Sequence, residues 1–277
     1  MESQKIFILK SDYYYDYSKK ENPSQEDYFF HMHNDYEFLY FIDGDVEYSV
    51  DTVKFKLQKG DFLIIKPRTY HGLTLKSNSC YERIVFYARP TFLSNTQKTI
   101  ISQSAYLYHL KHDDFIRYTF ENLKRCHAFY NSVAFDYLSQ TSLLNIINAL
   151  PYLPKDKSNS VNTDIIVNNI LDYIKENIAQ NINAKVLSKR FFMSSSWINH
   201  SFNNVMNISL KQYINQQRIM HAQSMIMKGV PIEKVMSHLG FENYSTFFRH
   251  YKTFLGTIPA ADKLAAKNRN NPKHKKS

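Results

Sequence analysis

Three histidines and one glutamate stand near the start of the chain at spacings that can support ligand chemistry. His31, His33 and Glu37 fall within seven residues, and His71 follows later. Alternation along a strand would point His31 and His33 to the same side. Imidazole together with carboxylate suits Fe, Mn, Ni or Zn, but the same groups can form a hydrogen-bonded cluster that lines a metal-free pocket. The spacing alone does not distinguish a metal site from a metal-free pocket.

Two segments of the C-terminal half share one pattern, in which a Ser or Asn residue stands at the start of a short predicted helix. Residues 183–206 and 232–254 each show a short helix, a tight turn and a second helix that opens on Ser or Asn. Ser194 and Asn243 can cap these second helices, and Gly240 stands where a turn needs φ > 0. Apolar residues recur at helical spacing in both segments. The two segments are therefore predicted to be helix-turn-helix units.

Side chains that read base edges lie near the N-terminus of the second helix of such a unit, on its exposed face. Asn199 can pair with adenine N6 and N7, and Arg249 with guanine O6 and N7. The predicted DNA-contacting residues are Ser195, Ser196, Asn199 and His200 in the first unit and Tyr244, Ser245, Thr246 and Arg249 in the second.

A long helix is predicted between the two units. Ser209 can cap it, and it ends at Lys228 before Gly229 and Pro231. Twenty residues span about 30 Å, close to the separation of about 34 Å between successive major-groove faces on one side of B-DNA. This length predicts that the two units can place their second helices in adjacent grooves of one duplex.

The net charge of +10 is confined to the half of the chain that carries these units. Residues 160–277 hold 16 Lys and Arg against 6 Asp and Glu, whereas residues 1–159 hold 19 of each kind. A basic half of this kind favours a polyanionic partner.

Short strands with turn signals between them dominate the sequence from residue 28 to residue 90. Strands are predicted at 37–42, 45–50, 54–57, 61–66 and 82–87, with an edge strand at 5–9 followed by a loop. Evenly spaced short strands predict a small β-barrel.

Residues 91–150 change to helical spacing and predict two helices. These helices can pack on the barrel or pair with a second subunit, and we expect a homodimer. Two prolines and small or charged residues predict a linker over 151–162.

The compartment is predicted from what the sequence lacks. Cys80 and Cys126 are far apart without metal-ligand spacing, as is typical of buried thiols in a reducing cytoplasm. No apolar run after the N-terminus is long enough for a signal peptide, and no stretch approaches the roughly 20 apolar residues of a membrane span. We therefore expect a soluble, cytoplasmic protein without a membrane partner.

Residues 163–262 resemble the DNA-binding domain of AraC/XylS-family transcriptional regulators. The resemblance implies seven helices, with two helix-turn-helix units joined by one long helix. Two features depart from the family pattern: Phe192 stands at the first turn, where many relatives have glycine, and residues 260–263 replace the usual aromatic-Arg ending. The matching residues are Leu187-Ser188, Ser194, Trp197-Ile198 and Phe202, then Tyr213-Ile214, Arg218 and Ala222, and finally Ile232, Val235, Leu239-Gly240-Phe241, Phe247, Arg249, Tyr251-Lys252, Gly256 and Pro259.

The N-terminal region resembles the cupin-like sensor domain that is often fused to this DNA-binding unit. His31, His33, Glu37 and Gly44 have the spacing of the first cupin motif, and His71 belongs to an approximate second motif. In cupin enzymes, three His and one Glu at these places bind a divalent metal. Because the fused module is a regulator, we predict instead a metal-free pocket with no cofactor. Its predicted ligand-binding residues are His31, His33, Glu37 and His71.

These features predict an α+β chain of two domains. A cupin-like β-barrel with a helical pair covers residues 1–150 for ligand sensing and dimerisation, and the linker covers 151–162. An all-α AraC-type DNA-binding domain covers 163–262, and a basic, disordered tail covers 263–277. The predicted function is a transcription activator controlled by a small molecule, with double-stranded DNA, the effector, RNA polymerase and a second copy of the chain as partners. The alternatives are a metal-dependent cupin enzyme and a ligand-independent nucleic-acid binder.

Overall fold

The computed structural model describes residues 12–110, 115–129, 132–153, 161–162 and 165–269. The chain divides between residues 163 and 164 into two compact units. The first unit is rich in strands, and the second is helical throughout its described part. The predicted α+β organisation, a strand-rich domain followed by an all-α domain, is confirmed.

Two antiparallel sheets form the frame of the first unit. One sheet has the strand order β1-β7-β2-β5-β8 and the other the order β6-β3-β4-β9. The strands are β1 (Tyr13–Lys20), β2 (Tyr36–Asp43), β3 (Val46–Val50), β4 (Val53–Lys56), β5 (Asp61–Ile65), β6 (His71–Leu75), β7 (Tyr81–Ala88), β8 (Leu107–His109) and β9 (Val161–Asn162).

Alternating side chains of the five-stranded sheet enter two different cores. On β2, Leu39 and Phe41 join a cluster with Tyr48 and other residues of the four-stranded sheet. Phe38 and Tyr40, which point to the opposite face, join a cluster with the helices. Both faces of this sheet are therefore covered.

Three helices pack on the outer face of the five-stranded sheet: α1 (Asn95–Ser102), α2 (Phe115–Cys126) and α3 (Val133–Ala149). The ring of Phe120 on α2 stacks on Tyr40 of β2 with centroids 4.4 Å apart. The predicted helical pair thus packs on the sheet, and its outward side carries exposed apolar residues that include Phe115, Tyr118, Val133, Tyr137 and Leu138.

Several local predictions for this unit need correction. The tyrosine-rich segment predicted as a loop forms β1, where Tyr13 and Tyr15 are buried at strand spacing and the strand pairs with β7. Strands β6 and β8 and helix α1 were not predicted. The predicted linker contains a short 3₁₀ helix at Leu150–Tyr152 and strand β9, which pairs with β4. The predicted strand at 5–9 lies outside the described residues.

The described part of the second unit contains seven helices, as the family resemblance implies. Helix α7 contacts α6, α8, α9 and α10, so it forms the centre of the unit. The helices are α4 (Ile165–Glu176), α5 (Ala184–Phe191), α6 (Ser195–Met206), α7 (Leu210–Met227), α8 (Ile232–His238), α9 (Tyr244–Leu255) and α10 (Pro259–Arg269).

Short polar side chains fix where these helices begin. Ser194 accepts from the Trp197 amide at the start of α6, and Asn243 accepts from the Thr246 amide at the start of α9. Ser209 forms a capping box at the start of α7. These three predicted N-caps are confirmed.

Two turns have the left-handed backbone that the sequence predicts. Gly240 has φ of 70° in the second unit, at little cost for glycine. Phe192 has φ of 57° in the first unit, and its side chain is 92% exposed. A bulky residue in this region is strained, and its exposed ring gains no burial in return.

Helix α10 forms although its sequence departs from the family motif. It continues through Arg269, so the predicted boundary after residue 262 falls inside a helix. The prediction of a disordered tail from residue 263 is wrong for 263–269, because Asp262 is buried and anchors the helix to its neighbours. Residues 270–277 lie outside the described part of the chain.

Candidate nucleic-acid interface and histidine cluster

The exposed face of α6 is polar and carries no charged residue. Ser196, Asn199 and His200 are exposed as predicted. Asn203 and Asn204 extend the same face by one turn and were missed, although their spacing of four residues from Asn199 and His200 signals it. Asn204 also lies 3.1 Å from the His200 ring.

Ser195 has a different environment from the other predicted α6 residues. It is half-buried, and its hydroxyl donates to the Ala184 carbonyl oxygen at 3.4 Å. This bond joins α6 to the start of α5. Ser195 is therefore better suited to setting the angle between the two helices than to contacting a base.

The exposed face of α9 carries positive charge. Tyr244, Ser245 and Arg249 are exposed, whereas Thr246 is half-buried. One turn further on, Lys252 is also exposed and continues the face of Ser245 and Arg249, together with the exposed Thr253. Lys252 was not among the predicted DNA-contacting residues, because it lies beyond the first turns of the helix.

A basic environment surrounds His250 on the adjacent side of α9. Burial, followed by the charges of Arg249 and Lys211, lowers the pKa of His250. Lys211 belongs to the first turn of α7. The start of α7 therefore adds positive charge beside α9, which suits contact with a phosphate backbone.

Arg218 on α7 has a structural role. Its Nη2 donates to the Gln180 carbonyl oxygen at 2.9 Å, across 38 residues of sequence. This bond ties the segment between α4 and α5 to the central helix. The contact therefore gives Arg218 a bracing role between these two segments.

The second site brings His31, His33, Glu37 and His71 together in the first unit. Glu37 lies on β2, and His71 begins β6. His31 and His71 form a backbone bridge, in which each amide donates to the other's carbonyl oxygen at 2.8 and 2.9 Å. One ligand atom from each of the four residues lies within 4.8 Å of the others. A cluster of this composition can hold a cation.

Hydrogen bonds converge on the Glu37 carboxylate. Nε2 of His33 and Nε2 of His71 both lie 3.1 Å from Oε2 of Glu37. The Tyr48 hydroxyl donates to Oε1 at 3.2 Å. The Glu37 and His71 side chains are 4% and 0% exposed, so the carboxylate depends on these partners in place of water.

Within the cluster, the pKa values of individual residues shift in different directions. Burial, with smaller contributions from His71 and His33, lowers the pKa of His31 to about 3. Burial opposes the charged form of His33, but the hydrogen bond and charge of Glu37 raise its pKa. Burial also opposes ionisation of Glu37, but its bonds to His33 and His71 hold its pKa well below the usual value. The two imidazole groups that contact Glu37 therefore favour its anionic form.

Two family models match the chain, one in each unit. A model described as a helix-turn-helix domain matches residues 187–263, and a model described as a cupin domain matches residues 21–81. The first match covers most of α5, all of α6 to α9 and the start of α10, including both polar faces. The second covers the histidine cluster.

Curated relatives match little more than a third of this chain. The transcriptional regulatory protein HptR of Staphylococcus aureus (strain NCTC 8325 / PS 47) is 25% identical over 97 residues, which are 35% of this chain and 38% of the relative. The uncharacterized HTH-type transcriptional regulator YdiP of Escherichia coli (strain K12) is 28% identical over 109 residues, 39% of this chain and 36% of the relative. The chain thus spans little more than a third of the length of these relatives.

Solved structures that are similar to this chain include ToxT from Vibrio cholerae, which is 13% identical. It has a TM-score of 0.40, and the match covers 92% of this chain and 98% of ToxT. The DNA-binding domain of AdpA, solved in complex with a target DNA, is 20% identical with a TM-score of 0.36. That match covers 38% of this chain and 96% of the domain.

The two family models confirm the predicted resemblance to AraC-type regulators with a cupin-like domain. The cupin match precedes the helix-turn-helix match along the chain. Along the described residues, no helix combines the length and apolar content needed to cross a bilayer.

Proposed function

We propose that this chain regulates transcription by binding specific sites in double-stranded DNA. The observation that carries the proposal is the pair of N-capped helices, α6 and α9, with exposed polar faces in one helical unit. Helices with this capping and exposure are suited to reading base edges in the major groove. The basic charge of the C-terminal half supports contact with phosphate.

The two helices divide the readout between them. On α6, Asn199 reads adenine, with Ser196, His200 and Asn203 on the same face. On α9, Arg249 reads guanine, while Lys252 and Lys211 contact phosphate. Helix α7 has 18 residues and spans about 27 Å, which supports engagement of successive major-groove faces about 34 Å apart.

The cupin-like domain supplies control. We propose that a ligand held by His31, His33, Glu37 and His71 changes DNA affinity, and that the chain acts in the cytoplasm as a homodimer. The exposed apolar side of α2 and α3 supports a subunit interface. Activation through contact with RNA polymerase completes the proposal, as the family resemblance implies.

A cupin enzyme is the alternative function. The histidine cluster favours it, because the same residue types can hold a catalytic metal. The match of a helix-turn-helix model over 77 residues favours a regulator, since an enzyme does not require two N-capped helices with exposed polar faces. A ligand-independent binder would need no buried cluster of titratable groups.

Selection of binding sites from random duplex DNA tests the function. The full chain is incubated with a random library at two salt concentrations, and the bound fraction is sequenced and footprinted. We expect one bipartite motif whose halves lie about one helical turn apart. Recovery of unenriched sequence at both salt concentrations would exclude a sequence-specific regulator. A motif of one short block would exclude joint reading by α6 and α9.

A further inference from the structure

We propose that Phe192 is a further DNA-contacting residue, whose ring reads the methyl group of a thymine beside the bases contacted by α6. The proposal rests on the proposed function, because it extends the surface through which the first helix-turn-helix unit contacts a duplex. It starts from an exception in the backbone. Among the described residues of the helical unit, Phe192 is the one bulky side chain with a left-handed backbone.

Other left-handed turns of the helical unit are built from different residues. The remaining described residues with positive φ in this unit are Asn207, Gly229, Gly240 and Gly256. Glycine has no steric cost in this region, and asparagine tolerates it better than most residues. Gly240 stands in the turn of the second helix-turn-helix unit, as Phe192 does in the first. A bulky residue at only one of two corresponding turns is a costly exception, and strain of this kind often marks a functional position.

Hydrogen bonds hold the backbone of the first turn. The amides of Phe192 and Met193 both donate to the Ser188 carbonyl oxygen, the second of them at 3.1 Å. These bonds close the end of α5 and fix the direction in which the Phe192 side chain leaves the helix. The ring is 92% exposed, so packing inside the protein does not explain its presence. An apolar ring in this position gains free energy when a partner covers it.

The position of Phe192 along the chain points to DNA as that partner. Phe192 precedes Ser194, the N-cap of α6, by two residues, so their Cα atoms are at most about 7 Å apart. The N-terminal end of a recognition helix is the end that contacts bases in the major groove. On the other side, Lys189 and Arg190 are exposed in the last turn of α5 and suit phosphate contacts. The ring therefore stands between a base-reading end and a basic helix end.

The chemistry of the ring limits what it can read. A phenyl ring has no hydrogen-bonding group, and in the major groove thymine presents a methyl group to which phenylalanine is a suitable apolar partner. The exposed residues Ser196, Asn199 and Asn203 of α6 offer hydrogen bonds but no large apolar surface. Phe192 would thus add a kind of readout that the polar face of α6 lacks. A contact with deoxyribose alone would add affinity without sequence preference.

The experiment uses the full chain and a duplex site obtained by selection from random DNA. Each thymine of the site is replaced in turn by deoxyuridine, which removes only the methyl group. Wild type, Phe192→Gly and Phe192→Ala are titrated against this set of duplexes. The control is Leu264→Ala, which shortens an exposed apolar side chain on α10.

We expect one thymine whose replacement weakens wild-type binding by about fourfold, the value of burying one methyl group. This thymine should lie within or next to the base pairs whose preference changes in Asn199→Ala. Phe192→Gly and Phe192→Ala should bind the thymine site about fourfold more weakly than the wild type does. Neither variant should distinguish thymine from uracil at that position, whereas Leu264→Ala should behave like the wild type.

Urea unfolding of the same variants separates a DNA contact from a folding effect. Glycine relieves the left-handed strain and alanine keeps it, so Phe192→Gly should be the more stable of the two variants. A loss of thymine recognition in both variants, despite their different stabilities, assigns the effect to the ring. A purely structural role of Phe192 would instead make DNA affinity follow stability.

Three results would overturn the thymine contact and leave the proposed function intact. The first is an equal effect of deoxyuridine on wild type and Phe192 variants at every position. The second is unchanged affinity of Phe192→Gly for the thymine site, which would direct the ring to a protein partner. The third is a loss of affinity that is the same for thymine and uracil, which would assign the ring to the sugar–phosphate backbone. Failure of the wild type to select any motif would reject the proposed function and the inference with it.

Discussion

The Tyr251 hydroxyl on α9 donates a hydrogen bond of 2.7 Å to Oδ2 of Asp262 on α10. The same oxygen accepts from Nε2 of Gln223 on α7 at 3.0 Å. Asp262 is only 8% exposed, so one carboxylate joins three helices inside the unit. This arrangement explains how α10 packs without the aromatic-Arg ending that the family motif usually has.

Replacing Asp262 with alanine should destabilise the helical unit by about 1–3 kcal/mol, because the buried Tyr251 hydroxyl and the half-buried Gln223 amide lose an acceptor. The measurement is urea unfolding of the full chain followed by the fluorescence of Trp197. This residue is the single tryptophan and lies in the same unit. Lys263→Ala is the control, since the neighbouring Lys263 is exposed. Equal unfolding midpoints for the two variants would show that the three-helix contact contributes nothing.

A second stability prediction concerns the strained turn at Phe192. Phe192→Gly should stabilise the unit by about 0.5–1 kcal/mol. The left-handed conformation costs a side chain about 1–2 kcal/mol, and the greater freedom of glycine in the unfolded chain offsets part of the gain. Phe192→Ala is the control, because alanine removes the exposed ring but keeps the strain. Unfolding midpoints that rise equally in both variants would assign the effect to the ring and not to the backbone.

Local signals in the sequence predict the helical unit well. Ser194, Ser209 and Asn243 act on amides within three residues, so each cap is visible in the sequence next to the helix it begins. The contact between Arg218 and the Gln180 carbonyl joins segments 38 residues apart, and no local pattern could choose that partner.

Predictions for the strand-rich unit were weaker for the same reason. Strand β1 pairs with β7 through Tyr13 and Ala88, 75 positions apart, and its tyrosines give little contrast between the two faces. Motif spacing predicted that His31, His33, Glu37 and His71 belong together. It could not predict the backbone carbonyl oxygens of Phe29, Asp35 and Thr69, which orient the three rings.

The proposed subunit interface leads to a prediction about association. Tyr137 on α3 is 68% exposed beside other apolar side chains of α2 and α3. Tyr137→Lys should weaken dimerisation by about tenfold or more, because it removes an aromatic anchor and places a charge in the interface. Sedimentation equilibrium of the full chain measures the dissociation constant. Asn145→Lys adds the same charge at another exposed position of α3. Equal weakening by both variants would indicate general repulsion and exclude a specific contact of Tyr137.

The last prediction separates base reading from phosphate contact on the two recognition helices. Asn199→Ala and Arg249→Ala should each relax sequence preference at one cluster of base pairs, with a loss of about 1–3 kcal/mol at the correct base. Arg249→Lys is the decisive variant. Lysine keeps the positive charge but lacks the planar fork that pairs with guanine O6 and N7. It should therefore lose the preference for guanine while keeping the salt dependence of binding.

Lys252→Ala should keep the base preference and change the salt dependence, because Lys252 is proposed to contact phosphate. It should weaken binding to all sequences together and reduce the salt slope by about one. Each variant is titrated against a panel of sites with single base changes at two salt concentrations. If Arg249→Lys bound the panel like the wild type, Arg249 would be a phosphate contact. The guanine would then have to be read by another exposed residue of α9, with Tyr244 and Ser245 as the next to be tested.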